Sequence, residues 1–544
     1  MNSNVGFQRS SPDYEIVVTN VTQGEIFCYS LPIVKGYISA YREENDGERS
    51  KTIRLRKIGN NKDSNEEDVT SWPVVNGNFK CLANLTIGKN EFELEFERCR
   101  LRLNLEFKSK KISYHVLPVY IICEGHDGRF QAPENEDNSP VSACKRIALG
   151  SRLIQSFTAE KLFESKMGKR TFQLGGDMNI NLECIIFRSK LTPDEIYGME
   201  SEEIWEHFGR ELMSSPYGNE KRKFLAFLSC TKYIPTEKEP ETYEETVAQM
   251  QGHIALGGGG LAIFGTGCLH TWPETIDQIL PRFLNDTKVD KKLFMDDSCY
   301  RGTYGSCFST TLGSVCHELG HAFDLGHSKK GIMGRGFDNI NLVFTIGNQT
   351  RHSNKNARAR SEPQHSTVSF TRNLNITYRM SSPIKRPRGR PTLRPSSPKK
   401  SVSNDVQEKT WSLDQDRNKN YHLDERMKNT SNAKVLIDDL TFWDKSCSVL
   451  LKYHRWFANT DIPDNLTSSI EFDYKRNTIS SSSGIRVVQL RNVDGLVLSS
   501  WEFLNTYLPK QFTLPQQNVN VKTVRMVVAE DSMGNILKES ITTN

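Results

Sequence analysis

The sequence predicts a multidomain α+β chain, with a β-sandwich at the N-terminus, a mixed α/β domain after it and a small β-rich region at the end. Three observations predict this. Short strand-like runs bounded by turn residues fill the first 114 residues. From His115 buried strand patterns alternate with helical ones, and from about residue 459 short strands return. At 544 residues the chain is too long for one core and suggests about two to four domains.

Within residues 1–114, EIVVTNV, FCYSLPIVKGYI, KTIRLRKI, FKCLANLTI, NEFELEFE and RLRLNLEF read as strands. Clusters such as Gly59-Asn60-Asn61-Lys62-Asp63 separate them, and this spacing suggests an all-β sandwich with a binding or scaffolding role. Residues 115–345 carry the mixed pattern. VLPVYIIC, NLECIIFRS, RKFLAFLSCTKYI and GLAIFG read as buried strands. ALGSRLIQSFTAEKLFESK reads as an amphipathic helix, Thr192-Pro193-Asp194-Glu195 starts another through LTPDEIYGMESEEIWEHFGRELM, and STTLGSVCHELGHAFDL is a third. Residues 346–432 are poor in core residues and rich in Arg, Lys, Ser, Asn and Pro, so they cannot offset their ordering entropy and are expected to be disordered. A helix, FWDKSCSVLLKYHRWF, marks residues 433–458, and SIEFDYKR, GIRVVQLRN, LVLSSWEF and VKTVRMVVAED supply the strands of 459–544.

The formal net charge of +5 does not call for a nucleic-acid or membrane partner. Its distribution is uneven: Arg351–Lys400 carries an excess of about +12, which leaves the rest near −7. Met1–Tyr14 has no apolar segment of the secretory type, and no run approaches 18 apolar residues, so neither secretion nor a membrane span is expected. The 12 cysteines are scattered without a CxxC pair, which suits reduced thiols in the cytoplasm or nucleus. The sequon Asn84-Leu85-Thr86 is then expected to go unused.

Chemistry concentrates at His317-Glu318-Leu319-Gly320-His321-Ala322-Phe323-Asp324-Leu325-Gly326-His327. Helical residues four apart share a face, so His317 and His321 can present two imidazoles to one ion, with Glu318 beside them as a base. His327 lies six residues beyond His321 and reaches the ion only if the chain turns back where the helix ends. Catalytic zinc needs such a set, with three protein ligands and one open position. At the turn, where HExxHxxGxxH has glycine, stands Asp324; Asp is among the few residues that enter the left-handed region at modest cost. A second reading makes Asp324 itself the third ligand. Met333, between Gly331 and Gly334, suits a tight turn beneath the metal, or alone would be an ordinary core residue. A bare HExxH arises by chance in roughly one chain in fifty of this length, and the third histidine lowers that about fifty-fold. Two plainer readings stand beside it: a helix whose histidines merely pack, and an intact metal site in an inactive interaction protein.

The segment CHELGHAFDLGHSKKGIMGRGFD, with FWDKSCSVLLKYHRWF after the basic insert, resembles a little-studied eukaryotic family of zinc metallopeptidases in the metzincin clan. The resemblance covers most of residues 115–345 and 430–544. Some relatives carry a jacalin-like domain, but the tail here is short for one and sugar binding is not carried over. The resemblance implies a metzincin-like catalytic domain, one zinc ion on His317, His321 and His327, Glu318 as general base and Met333 as the Met-turn. It implies a metalloendopeptidase acting on a peptide or protein substrate through a zinc-activated water, whose proton Glu318 passes to the leaving amine.

Weaker signals remain. The run Gly257-Gly258-Gly259-Gly260 could end an edge strand that pairs with substrate or be a plain loop; it lacks the GK[ST] of a phosphate loop. His253 and His270 read as ordinary polar or core residues. Lys385-Arg386-Pro387-Arg388-Gly389-Arg390-Pro391 resembles a minor-groove DNA-binding core and would also serve nuclear import, against the plainer reading of a solvated basic linker. Phosphorylation at the neighbouring Ser382-Pro383 and Ser397-Pro398 would lower its charge.

Overall fold

The structure is a computed structural model that describes residues 14–39, 41, 51–59, 69–175, 184–346, 441–461, 468–515 and 523–541. The basic patch Lys385–Pro391 and all but residue 346 of the expected disordered insert lie outside these residues. Eight strands come first: β1 (Glu15–Val18), β2 (Glu25–Phe27), β3 (Ile33–Ser39), β4 (Thr52–Ile58), β5 (Val69–Val75), β6 (Asn78–Leu82), β7 (Gly88–Phe96) and β8 (Cys99–Phe107). They join in one hydrogen-bonded path, β1-β3-β6-β5-β4-β7-β8-β2. Strand β5 pairs with β4 over Val69–Pro73 and with β6 at Val74 and Val75, so it links the two halves of the path. Period-2 alternation sends Phe92, Leu94 and Phe96 of β7, with Ile53 and Leu55 of β4, into the interior.

The second layer is built on β9 (His115–Ile122), β10 (Gln173–Leu174), β11 (Ile185–Arg188), β12 (Arg222–Leu228), β15 (Ala255–Gly258) and β16 (Leu261–Gly265), with β13 (Lys232–Tyr233) and β14 (Met250–Gln251) as a separate ribbon. The order is β10-β9-β12-β16-β15, with β11 also on β9. Every pairing is parallel except that of β15, which runs antiparallel to β16 at the edge. Strands β9 and β12 are buried along nearly their whole length, as parallel strands covered on both faces must be.

The helices are α1 (Pro140–Glu164), α2 (Pro193–Tyr197), α3 (Ser201–Ser214), α4 (Tyr243–Ala248), α5 (Ile276–Phe283), α6 (Tyr304–Ala322), α7 (Asn341–Phe344) and α8 (Lys445–Tyr453). Two differ from the sequence reading. Helix α1 is buried around nearly its whole circumference instead of showing one polar face. Its polar residues are buried with partners: Arg146 pairs with Glu136 at 2.8 Å and Glu274 at 3.1 Å, and Glu160 with Lys35 of β3 at 2.8 Å. The run after Thr192 breaks into α2 and α3 at Gly198, because a second capping box at Glu200 and Glu203 starts a new helix.

The C-terminal strands form two sheets. One has the order β17 (Ile470–Asp473), β18 (Thr478–Ser481), β21 (Gln511–Thr513); the other is β20 (Val497–Glu502), β19 (Ile485–Arg491), β22 (Met526–Asp531), β23 (Ile536–Ser540). Val488, Leu490, Val527 and Ala529 fill a core of their own, while Val487 joins the main core and Gln489 donates to Ser446 of α8 at 2.8 Å. The main core is continuous from Ile16 of β1 through α1, α6 and α8. All twelve cysteines are free thiols, and among the described residues no helix is long and apolar enough to cross a membrane.

Candidate metal centre

Helix α6 opens with Thr303, whose hydroxyl accepts from the Ser306 N–H at 3.3 Å, and packs on the edge strand β15. Glycine makes this approach feasible: a Cβ on Gly257 would collide with the carbonyl oxygen of Glu318. The helix ends in a Schellman motif. The N–H of Asp324 donates to the carbonyl of His321 at 3.0 Å and that of Leu325 to Gly320 at 3.1 Å, with Asp324 at φ +68°. A left-handed Asp costs roughly 1–2 kcal/mol relative to the right-handed helix. Its carboxylate is engaged by Lys538 of β23 and by His454 Nε2 at 3.3 Å, and its carbonyl accepts from Arg491 at 2.7 Å. Burial opposes its ionisation, but Lys538, His454 and Lys223 together hold it well below the usual carboxylate range. The carboxylate is thus committed to Lys538 of β23 and to His454, which follows α8.

The turn returns His327 to the helix. His321 Nε2 lies 3.1 Å from His317 Nε2 and 3.0 Å from His327 Nε2, and ligand atoms of all three residues fall within 4.8 Å of one another. Two nitrogens on a tetrahedral zinc would be roughly 3.3 Å apart. Each Nδ1 faces a backbone carbonyl: His317 that of Ile332 at 2.7 Å, His321 that of Leu325 at 2.9 Å, His327 that of Asp494 at 2.9 Å. With Nδ1 as donor in each ring, three Nε2 lone pairs converge, which repels unless a cation sits between them. Burial pushes the imidazoles toward the neutral, ligating form, His317 down to about 3 and His321 and His327 also below their ordinary value. The donor set and its geometry fit a zinc ion.

Beneath the histidines, Met333 is 1% exposed, and its Sδ occupies the space that a Cβ on Gly320 would need. Gly331, at φ +76°, receives the N–H of Gly334 at 3.0 Å and of Gly336 at 2.9 Å, closing the turn that delivers the Ile332 carbonyl to His317. Glu318 is buried and its Oε2 has no hydrogen-bond partner. Burial pushes its carboxyl up to about 8 against a hydrogen bond from the Gly257 backbone. Such a carboxylate, beside three converging imidazoles, can accept a proton. On the same face of α6, Thr311, Ser314 and Val315 line a cavity of about 50 Å³ with Ala255, Phe264 and Trp272.

The structure therefore brings together His317, Glu318, His321, Asp324, His327 and Met333. His253 lines that cavity, and His270 lies between Phe294 and Tyr304. Sequence reasoning missed Arg491, Asp494, Gly495, His454 and Lys538. Asp494-Gly495 is a legible hairpin turn, but nothing local says what it docks against.

A family model described as "Putative peptidase family" (Metallopep) matches residues 15–426. The match includes the N-terminal strands and stops before α8. Two curated relatives are named zinc metalloproteinases, each with the qualifier "Putative". That of Saccharomyces cerevisiae is 26% identical over 50% of this chain and 43% of its own length; that of Schizosaccharomyces pombe is 22% identical over 61% and 54%. The chain spans about half the length of the curated relatives it matches. Wild-type OgpA from Akkermansia muciniphila aligns at 11% identity over 79% of this chain and 94% of its own, with a TM-score of 0.38.

Proposed function

We propose that this chain, which belongs to the Metallopep family of peptidases, is a zinc-dependent metalloendopeptidase of the metzincin type. In this reading residues 115–345 and 433–458 form the peptidase domain, flanked by β regions at 1–114 and 459–544, and the enzyme works in the cytoplasm or nucleus. The observation that carries the proposal is the convergence of three Nε2 atoms, each ring fixed by a carbonyl at Nδ1, beside a buried Glu318 oxygen without a partner.

His317, His321 and His327 would hold one Zn²⁺, which supplies Lewis-acid polarisation of the scissile carbonyl and acidifies the attacking water. Glu318 takes the proton from that water and passes it to the leaving amine as the C–N bond breaks. Burial favours the first half of this cycle, because a carboxylate stripped of water binds a proton more tightly; in the second half the leaving amine, more basic than the carboxylate, draws the proton off. Strand β15 is the open edge of its sheet and pairs with an extended substrate as an added antiparallel strand. The cavity beside Val315 then takes one substrate side chain.

The test is zinc content together with cleavage of a peptide library, with and without a chelator, by the full chain and by Glu318→Ala. The variant is expected to keep zinc and lose about 10²–10⁴-fold in rate. Zinc binding without cleavage in the parent would favour a catalytically idle interaction protein, and cleavage that survives Glu318→Ala would remove Glu318 as the base.

A further inference from the structure

The third histidine is held by a part of the chain that the family match does not reach. His327 lies past the end of α6, so helix geometry does not fix it. Its backbone N–H donates to the Gly495 carbonyl at 3.0 Å, its carbonyl accepts from Val497 at 2.9 Å, and its Nδ1 faces the Asp494 carbonyl at 2.9 Å. Asp494 and Gly495 sit on the connection between β19 and β20 and Val497 opens β20, all beyond residue 426 where the match ends. The approach is close: a Cβ on Gly326 would fall 2.7 Å from the Gly495 oxygen and 2.6 Å from Arg491 Nε. Arg491, 4% exposed, bonds the Asp324 carbonyl at 2.7 Å through Nη2 and Gln489 Oε1 at 3.0 Å through Nε.

We infer that the hairpin Arg491–Val497 is a positioning element for the third metal ligand, with Arg491 as the positioning residue for the turn that carries it. This rests on reading the three histidines as a metal centre. The hairpin fixes which nitrogen of His327 is free, where the ring points and how far the backbone stands from α6. Partners of a ligating imidazole at this remove are worth about 10- to 100-fold in metal affinity. The C-terminal β region is thereby a structural half of the centre rather than an appendage.

The test uses the full chain. Zinc affinity is measured by competition with a chromophoric chelator, and the visible spectrum of the Co²⁺ form reports how many imidazoles ligate. Variants are a hairpin lacking Val493, Asp494 and Gly495, then Arg491→Met, Arg491→Lys, and His327→Ala as the two-ligand reference. Far-ultraviolet spectra check folding, and the Arg491 pair decides where the deletion unfolds. We expect the shortened hairpin to lose about 10- to 100-fold in affinity, with a Co²⁺ spectrum like that of His327→Ala, and Arg491→Lys to retain more than Arg491→Met. A folded deletion variant, or Arg491→Met, with the parent's affinity and spectrum overturns the inference alone. A parent chain that binds no zinc overturns the metal-centre reading with it.

Discussion

The Nδ1 of His327 lies 2.9 Å from the backbone carbonyl of Asp494, 167 residues further along the chain. His317 and His321 make the equivalent bond to carbonyls 15 and 4 residues away. The first two imidazoles are thus fixed by their own helix and the turn beneath it, and the third by a distant hairpin.

Asp324 separates two roles. As a turn residue at φ +68° with its carboxylate on Lys538 and His454, it is replaceable in conformation by glycine. Asp324→Gly is expected to keep zinc, while Asp324→Ala, which retains the left-handed strain and loses the same partners, should be about 1 kcal/mol less stable than the glycine variant. Chelator competition and urea unfolding measure the two. Loss of zinc in Asp324→Gly would return Asp324 to the ligand set.

Gly320 and Met333 share one space. A methyl group at 320 would lie 2.5 Å from Met333 Sδ, so Gly320→Ala is expected to cost about 1–3 kcal/mol. Met333→Ala opens a cavity at the same place. The double variant should be less destabilised than the sum of the two single changes, as a double-mutant cycle of unfolding free energies would report. Strict additivity would mean that the methionine does not pack against this turn of the helix.

Gly257 sets the distance between β15 and the helix that carries Glu318. Any side chain there meets the Glu318 backbone, and the displaced strand loses its hydrogen bond to the carboxylate. Gly257→Ala is expected to lower stability by about 1–3 kcal/mol and to reduce kcat more than the neighbouring Gly260→Ala, where a Cβ meets nothing within 4 Å. Peptide cleavage rates of the two variants decide it; equal rates would detach β15 from the base.

Acid is expected to weaken the fold through His270. It is 2% exposed, neither ring nitrogen has a partner, and burial pushes its pKa down to about 4. Between about 6.5 and 4 the unfolded chain binds a proton that the folded chain refuses, so the stabilising contribution is complete above the unfolded value and is lost as pH falls toward the folded one. At pH 5 the loss is about 2 kcal/mol. Urea midpoints at pH 7.5 and 5.0 should converge by roughly that amount in His270→Phe, and an unchanged gap would assign the acid sensitivity elsewhere.

Much of the candidate site is legible in the sequence because its parts are local. The four-residue interval between His317 and His321 is a property of any α-helix, and an Asp or Gly at a helix end announces a turn. Strands β9, β12, β16 and β19 were likewise readable as apolar runs between turn residues. Residues 148–166, which include the C-terminal part of helix α1, read as amphipathic, since the buried Glu160 looks like a solvated position until its partner Lys35 is placed beside it. The polar pattern of a helix reports what surrounds it only when the surroundings are water.

By itself, then, the sequence determined the helix, the place of Glu318 between its two histidines and the candidacy of His327, all consequences of backbone geometry over a dozen residues. Only the tertiary structure decided that Asp324 faces Lys538 and His454, that β15 lies against Glu318, and that Asp494 orients His327. Those relationships join segments about 60 to more than 200 residues apart. No local periodicity encodes them; they exist only once the core has brought β15, α6 and the C-terminal sheet into contact.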